Sequence, residues 1–335
     1  MNATGILTVL FAIAVAAAIS ACLIRLLLPL LQRHALTAPN ARSSHTVPTP
    51  QGAGIAVVAA TLLSATACLA WIGQQAPADL FAATTFIAVV GLADDFKSIP
   101  IVPRLLLQAI AVGAILLAAP ADLRIFPSAP LLLERGLLLL GGLWFVNLVN
   151  FMDGLDLMTV SEVVPISAAL VVLGASGQLP PAVAATAAAL CGAMIGFAPF
   201  NRPVARIFLG DVGSLPVGLL LGWCLLQLAW HQQLAAAILL PLYYLTDATL
   251  TLSRRISQRQ KFWIAHRTHF YQRASDNGFS VQRITGEIFA LNLGLGALAI
   301  ASTQTQSVAM RAALVLTGCV AVAWVLLRFS RRRRC

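Results

Sequence analysis

The stretch NLVNFMDGLDLM, residues 147–158, sets two amides and two carboxylates at the end of an apolar run, GLLLLGGLWFV. Asn147 and Asn150 stand one helical turn apart and share a face. Gly154 permits a turn that lets Asp153 and Asp156 converge. The spacing is not that of an EF-hand loop. Other stretches present charge in the same way. GLADDFKSIP (91–100) pairs Asp94 with Asp95, neighbours that repel unless a cation lies close; Arg104 and Gln108 follow at helical spacing from each other. RIFLGDVGSLPVG (206–218) puts Asp211 between glycines at the opening of a helix. Backbone N–H groups there favour phosphate, and the carboxylate is placed to hold a metal that phosphate oxygens also touch. In HRTHFYQR (266–273), His266 and His269 share a helix face beside Arg267 and Arg273. No third imidazole or thiolate has zinc-site spacing. The pair therefore reads as a cationic anion-binding patch, or as an interfacial aromatic–basic belt.

These residues need a scaffold, and composition says which kind. Of 335 residues, 59% are hydrophobic and only 10% are charged, too few charges to cover a soluble protein of this length. Repeated apolar runs of roughly 20 residues are the mark of membrane-spanning helices. The expected fold is all-α: one polytopic transmembrane domain over 1–335, with helices at about 4–31, 52–73, 78–93, 102–119, 135–152, 158–177, 180–198, 213–230, 233–252, 284–303 and 307–328. The first run has no basic residue before it and is too long for a signal peptide's apolar region, so it reads as a retained helix. Five of the six cysteines lie inside apolar runs and no CxxC occurs, which argues against disulfides and zinc alike.

Eleven crossings with an outside N-terminus leave the C-terminus inside. The inner loops, about 32–51, 94–101, 153–157, 199–212 and 253–283, then carry Arg33, Arg42, Lys97, Arg202, Arg206 and the cluster from Arg254 to Arg283. The basic tail 329–335 lies on the same side, and only Arg124, Arg135 and Arg311 fall outside. That asymmetry fits the positive-inside rule. It reads the net charge of +10 as topology rather than nucleic-acid binding. The acids sort alike: Asp94, Asp95, Asp153, Asp156, Asp211 and Asp247 fall at or near inner helix ends, where acids are expensive and suggest function. Asp247 has an equal claim to a structural pairing with Arg254 or Arg255.

In this order, PNARSSHTVPTPQGAG, GLADDFKSIP, NLVNFMDGLD, RIFLGDVGSLPVG and HRTHFYQR resemble the polyprenyl-phosphate N-acetylhexosamine-1-phosphate transferases (glycosyltransferase family 4). That family includes phospho-MurNAc-pentapeptide translocase and the enzymes that start O-antigen and related polymers. The resemblance runs along nearly the whole chain. It implies transfer of sugar-1-phosphate from a UDP-N-acetylhexosamine to undecaprenyl phosphate, with Mg²⁺ or Mn²⁺ and UMP as the other product. The expected setting is the bacterial inner membrane, with the site on its cytoplasmic face and, by analogy, a homodimer.

Carried over by position, Asp211 looks like the metal ligand and Asp94 like the base that deprotonates or orients the lipid phosphate. Asp95 would support metal and phosphates. Asp153 and Asn150, with Asn147 beside them, would contact diphosphate and sugar. Asp156 and Phe208 fall where the family grips uracil, and His266 and His269 match its His-containing inner loop. Arg206 and Arg104 would add positive charge. Two positions depart from the pattern: Leu157 replaces a glycine of D-G-x-D-G, and Gln51 replaces a basic residue. HRTHFYQR lacks three consecutive histidines, which points to the lipopolysaccharide or capsule branch over the peptidoglycan one. A cation-coupled transporter or an inert, lipid-binding relative are the competing readings. Transporter sites sit near the bilayer midplane, often within inverted repeats, and here the acids gather at one face.

Overall fold

A computed structural model describes residues 3–37, 48–260 and 267–332. In chain order the elements are α1 (Ala3–His34), β1 (Leu36–Thr37), β2 (Thr49–Pro50), α2 (Gly54–Trp71), α3 (Ala78–Phe96), α4 (Ile101–Ala118), α5 (Leu131–Met152), α6 (Met158–Ala175), α7 (Pro181–Phe197), α8 (Asp211–Trp230), α9 (Leu234–Leu239), α10 (Leu242–Ser257), α11 (Phe270–Asp276), α12 (Val281–Thr303) and α13 (Val308–Phe329). The two strands form a minimal antiparallel pair, Leu36 opposite Pro50. The protein is an all-α, multi-pass membrane protein.

Among the described residues, nine helices are long and apolar enough to cross a membrane. The third expected crossing, α3, stands outside that group because Asp79, Asp94 and Asp95 all lie in it. The run 233–252, expected as one helix, is two. α9 and α10 meet at Leu240 and Pro241, because a proline inside a helix removes a donor and clashes with the preceding turn. Part of the hydrophilic stretch 253–283 folds as the short helix α11. Prolines 100, 130 and 180 stand immediately before α4, α5 and α7, where a missing N–H does no harm. Ser280 and Ser307 cap α12 and α13 by accepting the N–H groups of Arg283 and Met310, as N-cap hydroxyls do.

α7 and α8 are apolar all round and buried on most sides, so they form the middle of the bundle. α1, α2 and α6 pack on α7, while α3 and α5 pack on α8. Peripheral helices show apolar side chains outward, among them Phe11 of α1, Leu117 of α4 and Leu316 of α13, as a lipid-facing surface requires. Polar ties join helices inside the bundle. Asn147 Nδ2 donates to Gln108 Oε1 at 2.5 Å between α5 and α4, and Asn292 Nδ2 donates to Glu162 Oε2 at 2.6 Å between α12 and α6. Glu162 is an acid that pattern reading passed over. The starts of α2 and α8 nearly touch: a Cβ on Gly54 would lie 2.2 Å from Gly213 Cα. This close crossing brings the segment before α2 against the segment before α8.

Candidate active site

At one end of the bundle, a cavity of about 270 Å³ opens where α3 and α5 end and α8 begins. Four carboxylates from three separate segments line it: Asp95, Asp153, Asp156 and Asp211. Asn150, Phe208 and Gln51 line it as well. The expected convergence of distant acids is therefore present in the fold.

Its geometry is fixed from α8. The first turn of a helix leaves backbone N–H groups without intrahelical partners. Here the side chain of Asp95 takes two of them, Oδ1 accepting from Asp211 N at 2.9 Å and Oδ2 from Val212 N at 3.0 Å. Gly210, at φ 76, precedes the helix in a conformation that other residues rarely adopt. Asp211 then projects into the cavity, where Asn150 Nδ2 donates to its Oδ1 at 2.7 Å and to Ser214 Oγ at 2.8 Å. Behind it, Arg104 Nη1 donates to Asp94 Oδ2 at 2.8 Å and lies 3.8 Å from Asp211 Oδ2. The segment before α2 closes the other side. Phe208 N donates to Pro50 O at 2.8 Å, and both Gly52 N and Ala53 N donate to Phe208 O at 3.1 Å. Gln51 donates its side-chain amide to the backbone carbonyl of Asp95 at 3.2 Å. It is thus a neutral brace at the position where the family pattern carries a basic residue.

The loop 153–157 is held from two directions. Asn201 accepts Leu157 N at 2.7 Å and donates to Ile207 O at 3.1 Å, while Asp156 Oδ2 accepts Ala205 N at 3.0 Å. Leu157 takes the left-handed conformation, φ 62, the backbone state in which a glycine sits without strain. Gly154 is required for space: a Cβ there would lie 2.2 Å from the Tyr271 hydroxyl. That hydroxyl donates to Phe151 O at 3.2 Å. Asp153 accepts a short hydrogen bond from Thr159. Burial pushes its carboxyl up to about 6, against the Thr159 bond and with the nearby charges of Asp95 and Asp156 adding to the rise.

Among the described residues, the remaining predicted ones do not line the cavity. Asn147 shares a face with Asn150, yet one turn deeper it is spent on Gln108. The Asp94 side chain is only 6% exposed and is enclosed by Arg104 and by Ile99 N at 2.5 Å. Arg206 is exposed and its guanidinium lies 6.0 Å from the Phe200 ring centroid. His269 is buried, with Nδ1 3.3 Å from Asp247 Oδ1 and its ring stacked on Tyr271. His266 lies outside the described residues.

Asp247 finds its partners at the start of α11 and, on its own helix, at Tyr243 and Thr251. It is fully buried and accepts Phe270 N at 3.0 Å and Tyr271 N at 3.2 Å, with the Tyr243 hydroxyl also at 3.2 Å. It therefore anchors the start of α11, which carries Gln272 to the cavity wall. Gln272, Asn201 and Ser214 line the cavity without having been assigned roles from sequence. Ser214 stood in the quoted GDVGS motif, three residues after Asp211 and so on its face of the helix. The two amides carry no charge to flag them.

No Lys, Arg or His is among the cavity-lining residues described, so anionic ligands would meet four like charges there. Among the described residues no three His, Cys, Asp or Glu side chains form a ready metal cage. The donors are hard oxygens, with Asp211 foremost. Such a set fits Mg²⁺, which commonly takes one or two protein carboxylates and completes its shell with water and substrate phosphates.

Comparison with known proteins adds the lineage. Residues 78–229 match the family model described as glycosyl transferase family 4. The chain is 33% identical over 159 residues to a phospho-N-acetylmuramoyl-pentapeptide-transferase of Limosilactobacillus fermentum, covering 47% of this chain and 49% of the relative. It is 38% identical to the enzyme of that name from Synechococcus, covering 40% and 43%. The alignments thus span about half of these curated relatives or less. A decaprenyl-phosphate N-acetylglucosaminephosphotransferase of Mycobacterium leprae aligns over 86% of this chain and 83% of its own length, at 26% identity. The matched segment 78–229 contains all four cavity carboxylates, so the part of the chain that builds the candidate site is the part that matches glycosyl transferase family 4.

Proposed function

We propose that the protein transfers N-acetylhexosamine-1-phosphate from a UDP-sugar to undecaprenyl phosphate, releasing UMP, at the cytoplasmic face of a bacterial inner membrane. The single observation that carries this reading is the convergence of Asp95, Asp153, Asp156 and Asp211 with Asn150 and Phe208 on one cavity at a helix-bundle end. A lipid-anchored phosphate and a soluble nucleotide sugar can meet only at such an interface. The names of the relatives, which act on polyprenyl phosphate or on phospho-N-acetylmuramoyl-pentapeptide, support the same class of reaction.

In the proposed step an oxygen of the lipid phosphate attacks the sugar-bearing phosphorus of the UDP-sugar. The bond from that phosphorus to the bridging oxygen breaks, and UMP leaves with the electron pair. A phosphate oxyanion is already a competent nucleophile near neutral pH, so positioning and charge compensation do most of the work. Mg²⁺, held by Asp211, would supply that compensation when bound. Asn150 fixes the Asp211 carboxylate, and Asp95 fixes its backbone. Asp94 serves by holding Arg104 beside Asp211 rather than by entering the cavity. Phe208 offers a ring face to uracil and Asp156 a hydrogen-bond acceptor.

The absence of three consecutive histidines in HRTHFYQR supports a role in starting O-antigen or capsule polymers over the phospho-MurNAc-pentapeptide reaction. The test is incubation of the purified protein with undecaprenyl phosphate and a panel of UDP-N-acetylhexosamines, alongside UDP-MurNAc-pentapeptide. Mass spectrometry should find a lipid diphosphate carrying one N-acetylhexosamine. A MurNAc-pentapeptide product would select the other branch, and no lipid product with any donor would remove the proposal.

A further inference from the structure

The corner of the bundle where α1, α2 and α7 pack on one another carries no acid of its own. Neither stretch 1–78 nor stretch 163–210 contains Asp or Glu. α1 and α7 run side by side in the same direction: a Cβ on Gly192 would lie 2.1 Å from Ile13 O, and one on Gly196 2.3 Å from Ala17 O. α7 then ends at Phe197, while α1 runs on to His34. Along that overhang two cations meet one ring. The Arg25 guanidinium of α1 lies 5.8 Å from the Phe200 ring centroid, and that of Arg206, from the segment before α8, lies 6.0 Å from it. Arg206 N donates to Phe200 O at 2.9 Å, which ties ring and arginine together. Phe200 is buried, and both arginines are exposed. Among the described residues, neither guanidinium takes part in a hydrogen bond or an ion pair. Asp156, which accepts Ala205 N at 3.0 Å, belongs to the acidic cavity, and none of Arg25, Phe200 and Arg206 lines that cavity.

We propose that Arg25 and Arg206 together bind the phosphate of an anionic phospholipid headgroup. An arginine does not shed its proton, so two that share one ring repel each other until an anion comes between them. The planar guanidinium fork suits phosphate oxygens. The choice of a lipid over a soluble phosphate comes from the surroundings. Arg25 lies within the apolar span of α1, Leu7–His34. Leu26 and Leu30 beside it, and Val204 beside Arg206, are exposed. An anion seated there has apolar surface next to it, as the phosphate of a phospholipid has its own acyl chains. A nucleotide is disfavoured because the ring it would stack on, Phe200, is only 5% exposed. The site is independent of the transfer reaction proposed above.

The test uses the full-length protein in nanodiscs of equal phosphatidylglycerol and phosphatidylcholine, with retained lipid read by native mass spectrometry after mild delipidation. Phosphatidylglycerol should be retained in preference. Arg25→Ala/Arg206→Ala should lower that preference about fivefold for each arginine removed, whereas Arg331→Ala/Arg332→Ala, equal in charge, should leave it unchanged. Should the double variant not fold, Arg25→Gln and Arg206→Gln taken singly should each lower it about fivefold. Equal retention of both lipids would overturn the proposal. So would an equal loss in the tail variant, which would mean generic surface charge. Displacement of phosphatidylglycerol by millimolar inorganic phosphate or UMP, or by equimolar undecaprenyl phosphate, would overturn it as well.

Discussion

Asp95 and Asp211 are 116 residues apart in sequence, yet the carboxylate of the first holds the backbone N–H of the second at 2.9 Å and that of Val212 at 3.0 Å. Asp95 thereby acts as a capping residue for a helix it does not belong to. Asp95→Ala leaves two N–H groups of the first turn without acceptors. Loss of a helix cap costs about 1–2 kcal/mol, and the first turn of α8 is the frame of Asp211. We predict a lower unfolding midpoint in detergent and UMP release at least about a hundredfold below wild type. Asp95→Glu, which keeps the charge but not the reach, should recover little of either.

Arg104 and Asp94 form the layer behind that frame. The Asp94 side chain is 6% exposed and the Arg104 side chain 23%, so removing the arginine strands an enclosed carboxylate. Arg104→Ala should destabilise the protein by roughly 1–3 kcal/mol. Arg104→Lys should restore charge without the forked geometry and recover stability only in part. Thermal unfolding of the three proteins in the same detergent checks both.

The Gly154–Tyr271 contact gives a prediction with an internal rescue. Gly154→Ala would place a methyl 2.2 Å from the Tyr271 hydroxyl, and Tyr271 is fully buried, so neither side can yield cheaply. The variant should lose most turnover. Tyr271→Phe alone gives up one hydrogen bond, about 1 kcal/mol, and should stay active. The double variant, freed of the clash, should exceed Gly154→Ala in turnover, and steady-state kinetics of the four proteins would show it.

Asp247 tests whether α11 positions the site. Asp247→Ala would leave Phe270 N, Tyr271 N and the Tyr243 hydroxyl without their acceptor, a loss of roughly 3 kcal/mol for a broken buried network. Protease cleavage between 258 and 281 should rise sharply, and UMP release should fall. Asp247→Asn keeps one acceptor oxygen and should be intermediate in both measurements.

The helices were legible because a lipid environment forces long apolar runs, and the cavity acids were legible because charge at the mouths of such runs is rare. What sequence could not supply was the third dimension. Asn147 and Asn150 share a helix face, but only Asn150 reaches the cavity, because Gln108 on α4 occupies Asn147. Asp94 and Asp95 are neighbours, yet one is tied to an arginine and the other to a helix end. His269 sits beside arginines in sequence, and the fold turns it inward onto Asp247. The break between α9 and α10 had a visible cause in Pro241, hidden by the apolar residues around it. Leu157 was visible as a departure from the family pattern, but its left-handed backbone was not.

The measurement that bears most directly on the whole account is UMP release from a UDP-N-acetylhexosamine by the purified protein, with undecaprenyl phosphate, for wild type and Asp211→Asn, with Mg²⁺ and with chelator. The substitution keeps the side-chain oxygen that Asn150 holds and removes only the charge, so the unfolding midpoint should not move. Wild type should release UMP only with Mg²⁺, and the variant should release none under either condition. Wild-type rates in Asp211→Asn, or undiminished release in chelator, would contradict the account at its centre.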